Sequence, residues 1–179
     1  VRELIVQIWY PSEINIDEKP EPYLDFIDIR AKTLASAGAI PEFFPSHLKY
    51  ISTNSYKGLE IVNLEKSFPV VVFSHGITST RHLHQALYEH LVSRGYIVVA
   101  PDHSFDANLT IFPDGHVADY RSDLTGNPDS GRVRKMQMST RAADISFILN
   151  QLEKMQSGEI KSQINEKIDL EKIAVGGHS

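Results

Sequence analysis

Cysteine is missing from all 179 residues, and this one absence removes three chemistries. The chain forms no disulfide, offers no thiolate nucleophile and builds no cysteine-zinc site. A basic excess is missing as well: 18 Lys and Arg stand against 23 Asp and Glu, for a formal net charge of −5. With no basic stripe to neutralise phosphates, nucleic acid is not an expected partner. No stretch has the roughly 20 consecutive apolar residues of a membrane-spanning helix, and there is no internal repeat or low-complexity tract. The opening "VRELIVQIWYP" has no signal-peptide pattern and reads as mid-strand, so we expect a piece of a larger domain. What is present is 41% hydrophobic residues over a length that suits one domain, or the larger part of one. This balance fits a cytosolic and an exported enzyme equally.

Residues Glu3 to Tyr10, "ELIVQIWY", have the content of a strand closed by Pro11, and a polar, Pro-rich loop follows. From Tyr23 to Tyr50 the pattern predicts short helical pieces broken by Gly38, Pro41 and Pro45, and "ISTNSYKGLEIVNL" could carry another strand. "PVVVFSHG", from Pro69, is a continuous apolar run of the kind found in strands covered on both faces. Ser79 or Thr80 can cap a helix through "TRHLHQALYEHLVSRG", with Leu83, Leu87 and Leu91 on its inner face and Gly95 as the stop. A second buried strand is expected in "YIVVAPD", then an irregular excursion from His103 to Gly131. A helix runs from near Met136 to about Met155 on a stripe of Ile145, Ile148, Leu149 and Leu152, and "KIAVGG" is a third buried strand. This alternation predicts an α/β fold, a mostly parallel sheet with flanking helices, joined by right-handed crossovers. Residues 1–68 are the N-terminal strands and irregular helical segment, and residues 69–179 the βαβαβ core.

Ligands of parallel sheets bind at the carboxyl ends of the strands. Three such ends here carry "FSHG", "PDHS" and "GGHS". Gly177-His178-Ser179 supply the first three positions of G-x-S-x-G, the tight strand-to-helix turn that presents a nucleophilic serine. Such a serine needs a base for its proton and donors for the oxyanion. The turn Ser74-His75-Gly76-Ile77 is placed to offer one donor, the backbone N–H of Ile77, with Gly76 permitting the sharp bend. His75 and His178 flank these positions and, with Gly76, are candidate substrate contacts, although the ring of His75 fits better as a backbone-binding strut, and His178 as a strut beside the serine.

"PVVVFSHG", "GYIVVAPDHSFDA", "FPDG" and "KIAVGGHS" together resemble the plasma-type platelet-activating factor acetylhydrolase family and its bacterial relatives, as do "RELIVQIWYP" and "LASAGAIPEFF". The resemblance implies an α/β-hydrolase fold, truncated here after the nucleophile-elbow strand. It also implies hydrolysis of short or oxidised acyl esters, typically of phospholipids, without metal or organic cofactor. Ser179 matches that family's nucleophile and Ile77 its first oxyanion donor. The family's acid and histidine follow the serine in chain order, so the remainder of the domain is an expected partner, packed on the edge of "KIAVGG", and this chain alone is expected to be inactive. A general carboxylesterase or polyester hydrolase on the same scaffold is the second reading, and a non-catalytic hydrolase-like domain that binds a partner is the third.

The remaining conspicuous residues have plainer readings. His82, His84 and His90 are expected on a solvated helix face, because residues two apart on a helix diverge and cannot chelate together. Asp102-His103 is expected to be loop structure. Arg141 and Asp144 are spaced i,i+3 and can pair. Asn108-Leu109-Thr110 is a glycosylation sequon by pattern. The apolar segment from Leu34 to Ile51 either covers the active-site mouth and touches lipid or, the preferred reading, packs on the sheet as an ordinary cap.

Overall fold

β-Branched residues fill the segments that pair into the central sheet, because branching at Cβ suits a pleated, covered surface. The computed structural model describes residues 2–13, 18–122 and 124–178. In chain order the elements are β1 (Ile5–Trp9), α1 (Ile27–Gly38), α2 (Phe43–Ser46) with a 3₁₀ turn at His47–Tyr50, and β2 (Phe68–Ser74). They continue with α3 (Gln85–Ser93), β3 (Ile97–Asp102), β4 (Leu109–Ile111), β5 (Val117–Asp119), α4 (Ser130–Gln156) and β6 (Ile168–Gly177). Four strands form one sheet in the order β1-β3-β2-β6, with β2 parallel to both β3 and β6 and β1 antiparallel to β3. This is the expected mostly parallel sheet with flanking helices.

The core lies on both faces of that sheet. Phe68, Val70, Val72, Ile97 and Val99 pack with Ile148 and Leu152 of α4 on one side. Trp9, Val98 and Ala100 pack with Tyr88 of α3 on the other, where the Trp9 and Tyr88 rings lie 4.9 Å apart. All six residues of β3 are buried, as expected of a strand covered twice.

Several expectations are corrected. Helix α3 begins at Gln85, because the backbone of residues 78–82 is held elsewhere: Thr78 has φ 59°, the Ser79 N–H donates to Gly76 O, and the Arg81 N–H donates to the Asp102 carboxylate. Its buried residues are Gln85 and Tyr88, while Leu83 and Leu87 are 40% and 42% exposed. Residues 51–64 hold no strand, only a bridge between Ser12 and Ile61. The excursion after His103 contains the β4–β5 hairpin, and its Asn108 and Thr110 are buried, which closes the sequon to a glycan. Strand β6 pairs with β2 alone among the described residues, so Val175, expected inside, is 58% exposed.

The Leu34 to Ile51 segment is not the packed cap that the apolar content suggested. Helix α1 buries only Arg30, Ala31 and Ala35. Ile40, Phe43, Phe44, Tyr50 and Ile51 are exposed, with Phe43 at 56% and Tyr50 at 71%. Phe43 and Phe44 stack on each other at 4.4 Å, and Phe43 meets His47 edge-on. In α4 the buried positions are Gln137, Arg141, Asp144, Ile148 and Leu152, one helical stripe whose first half is polar.

Candidate active site

Because β2, β3 and β6 run parallel, their carboxyl ends reach the same end of the sheet and bring the three suspected loops together. Ser74 pairs with Gly177, and the His178 N–H donates to Ser74 O at 3.0 Å. A side chain at position 177 would be crowded: its Cβ would stand 3.0 Å from Ser74 O and 3.3 Å from Ser74 Cβ, so the paired strand end would have to give way. Glycine therefore permits the close approach of the two strand ends. Ser179 lies outside the described residues.

The turn after β2 is anchored by its side chains and carbonyls. His75 is fully buried, its Nδ1 donates to Gly76 O at 2.6 Å, and its Nε2 accepts the His103 N–H at 3.0 Å. Those two roles require the neutral tautomer with the proton on Nδ1. Burial pushes the imidazole pKa down to about 4, in keeping with that form. From below, Arg141 donates to His75 O at 2.6 Å and pairs with Asp106, which also accepts from Gln137 at 2.7 Å. Asp106 O in turn accepts the Thr78 N–H at 3.2 Å. Within this frame the Ile77 N–H donates to nothing among the described residues. Gly76 is buried and Ile77 half-buried. The exposed His178 has its ring 5.0 Å from that of His84, which sits at the start of α3.

A second arrangement was not anticipated. The Ser74 hydroxyl lies 3.0 Å from His103 Nε2, and His103 Nδ1 lies 2.8 Å from Asp144 Oδ2. Arg2 grips the same carboxylate with two bonds of 2.7 Å and also donates to Ser104 O at 3.0 Å. Burial alone would raise the Asp144 pKa, but hydrogen bonds and charge from Arg2 and His103 outweigh it and hold the carboxyl below its ordinary value. Asp144 thus pairs with Arg2 and His103, and Arg141 with Asp106, in place of the expected Arg141–Asp144 pair. Asp102 and His103 diverge, since the Asp102 carboxylate turns to Arg81 on the α3 side.

Of the three clustered histidines, His90 is exposed, but His82 is buried before the helix, 3.6 Å from Asp25. Burial lowers its pKa to about 3. The solvated-face reading therefore fails at His82, because residues 80–82 turn inward to reach Asp25 and Asp102. Among the described residues no three His, Asp or Glu side chains are grouped to hold a metal ion.

The model of the family described as "Platelet-activating factor acetylhydrolase, isoform II" matches residues 2–179. The chain belongs to that family. It is 32% identical to the dog platelet-activating factor acetylhydrolase over 133 residues and 30% identical to the guinea pig protein over 131. Each match covers 64% of this chain and 30% of the relative, so the aligned part is under a third of the length of these acetylhydrolases. Among solved structures, a ferulic acid esterase from Streptomyces cinnamoneus superposes with a TM-score of 0.71 at 30% identity, over 99% of this chain and 45% of that one. The fold is that of the α/β-hydrolases, as the acetylhydrolase resemblance implied.

The neutral His75 strut has a measurable consequence. Its folded pKa of about 4 lies below the unfolded value near 6.5, so its contribution to stability is complete above about pH 6.5. It is lost as pH falls toward 4, and His82 acts in the same direction. Thermal unfolding of the complete protein should shift to lower temperature between pH 7 and pH 4.5, and His75→Gln should reduce that shift. An identical pH dependence in the variant would contradict the strut.

Proposed function

We propose that the complete protein is a serine ester hydrolase that cleaves short or oxidised acyl esters of phospholipid type through an acyl-enzyme on Ser179. In this reading residues 1–179 are the N-terminal portion of one hydrolase domain, with residues 1–68 preceding a βαβαβ core at 69–179. The observation that carries it is the Ile77 N–H, which has no partner among the described residues, on a turn whose carbonyls and ring nitrogens are engaged, beside the strand that leads to Gly177-His178-Ser179.

In the proposed reaction the Ser179 hydroxyl attacks the ester carbonyl while a histidine accepts its proton. The tetrahedral oxyanion then rests on the Ile77 N–H and on the N–H of the residue following the nucleophile. Collapse expels the alcohol and leaves the acyl group on serine, and water then releases it. The base, its acid partner and the second donor belong to the remainder of the domain, proposed to pack along the open side of β6 where Val175 is exposed. His75, Gly76 and His178 would line the approach to the serine.

The exposed Phe43, Phe44 and Tyr50 favour lipid-borne esters among the substrates, since aromatic rings partition well at lipid–water boundaries. The ferulic acid esterase likeness supports a general carboxylesterase as the second reading. Ser179→Ala in the complete protein should lower kcat at least about 10³-fold and abolish fluorophosphonate labelling; retained turnover would mean that the nucleophile lies elsewhere. The Phe43→Ser/Phe44→Ser protein should lose turnover of phospholipid in vesicles while keeping its rate on a soluble p-nitrophenyl ester. An equal effect on both substrates would remove the lipid-surface contact.

A further inference from the structure

The hydrogen-bonded series Arg2–Asp144–His103–Ser74 has the spacing of a serine-hydrolase triad, and its serine is half-buried. His103 is fully buried. Neither the groove of about 920 Å³ along β1 nor the smaller one bordered by Arg2, Ser104 and Arg141 is lined by Ser74 or His103. The Ser74 carbonyl is itself occupied by the His178 N–H. Ser74 ends β2 without the Gly-x-Ser approach of a nucleophile elbow, which favours a holding role for its hydroxyl.

What the series does touch is both halves of the proposed site. Through its ring, His103 hydrogen-bonds the hydroxyl of Ser74, whose backbone pairs with Gly177 and accepts from His178 N–H at the approach to Ser179. Through its backbone N–H, the same residue holds the His75 ring, which holds Gly76 O and so sets the bend before Ile77. One imidazole therefore fixes the strand end beside the elbow and the turn that carries the oxyanion donor. Asp144 fixes the tautomer, because an ionised carboxylate on Nδ1 leaves Nε2 as the acceptor for Ser74. Arg2 keeps Asp144 ionised and fixes its plane with a two-pronged grip.

Stability alone does not call for this device. Well-packed apolar side chains of similar volume hold a core as firmly as a buried ion pair does, whereas a charged, directional chain fixes angles. We infer that Arg2, Asp144, His103 and Ser74 are positioning residues that orient the Ile77 N–H relative to the nucleophile elbow, acting through His75 and through the Ser74–Gly177 pairing. The inference rests on the functional reading above, with Ser179 as nucleophile and Ile77 as donor. Small misalignments of a reacting geometry cost on the order of 10²-fold in rate.

The test uses the complete protein, with turnover of a soluble p-nitrophenyl ester and the rate of fluorophosphonate labelling as readouts. Ser74→Ala should lower kcat about 10- to 100-fold and slow labelling in parallel, with KM and the unfolding temperature little changed. Arg2→Ala should lower kcat in the same way and regain it in millimolar guanidinium, since the Arg2 side chain is 32% exposed and its site can be entered from solvent. Should Ser74→Ala fail to fold, the Arg2→Ala rescue decides alone. Unchanged kcat in a folded variant, or no recovery with guanidinium, overturns the inference. Labelling of Ser74 itself in the parent protein also overturns it, by making that serine a nucleophile. An active Ser179→Ala protein would instead refute the functional reading beneath, so the two failures are distinguishable.

Discussion

An amide can stabilise a developing oxyanion only if it faces outward while the rest of its turn is held from within. In the proposed site that constraint falls on the turn after β2. The His75 ring is the central fastening: buried and neutral, it joins the His103 N–H to Gly76 O, and the next amide, at Ile77, has no partner among the described residues. A charged imidazole could not do this, because its second nitrogen would no longer accept. The low pKa that burial imposes is therefore part of the fastening as well as a consequence of the packing.

The polar groups around that ring account for much of the architecture. Helix α4 buries Ile148 and Leu152 under the sheet, yet beneath the turn the same stripe carries Asp144, Arg141 and Gln137. These reach His103, the His75 carbonyl and Asp106. On the opposite face, Arg81 joins Asp102 to Asp25 and draws residues 80–82 inward, which delays α3 until Gln85. Each polar side chain here has a named partner, as burial demands. Leaving one of these ion pairs half-built would strand a buried charge.

The parallel sheet was legible because its strands are uninterrupted apolar runs with helical spacers between them, and the turn after β2 was legible from its glycine. The polar half of α4 was not, since a search for hydrophobic periodicity passes over a buried stripe built from Gln137, Arg141 and Asp144. Leu83 and Leu87 misled for the converse reason: leucines at helical spacing look like an inner face, whereas the structure buries Gln85 and Tyr88 instead. His82 looked solvated because the pull of Asp25, 57 positions earlier, is not visible locally. The Arg2–Asp144 contact, 142 residues apart, left no sequence signal at all.

The most direct test of the account is a crystal structure of the complete protein carrying a fluorophosphonate adduct. The account predicts phosphorus on Ser179 with a phosphonyl oxygen about 2.7–3.1 Å from the Ile77 nitrogen, and with the His75 ring still bridging His103 and Gly76. An adduct whose oxygen points away from Ile77 would contradict it.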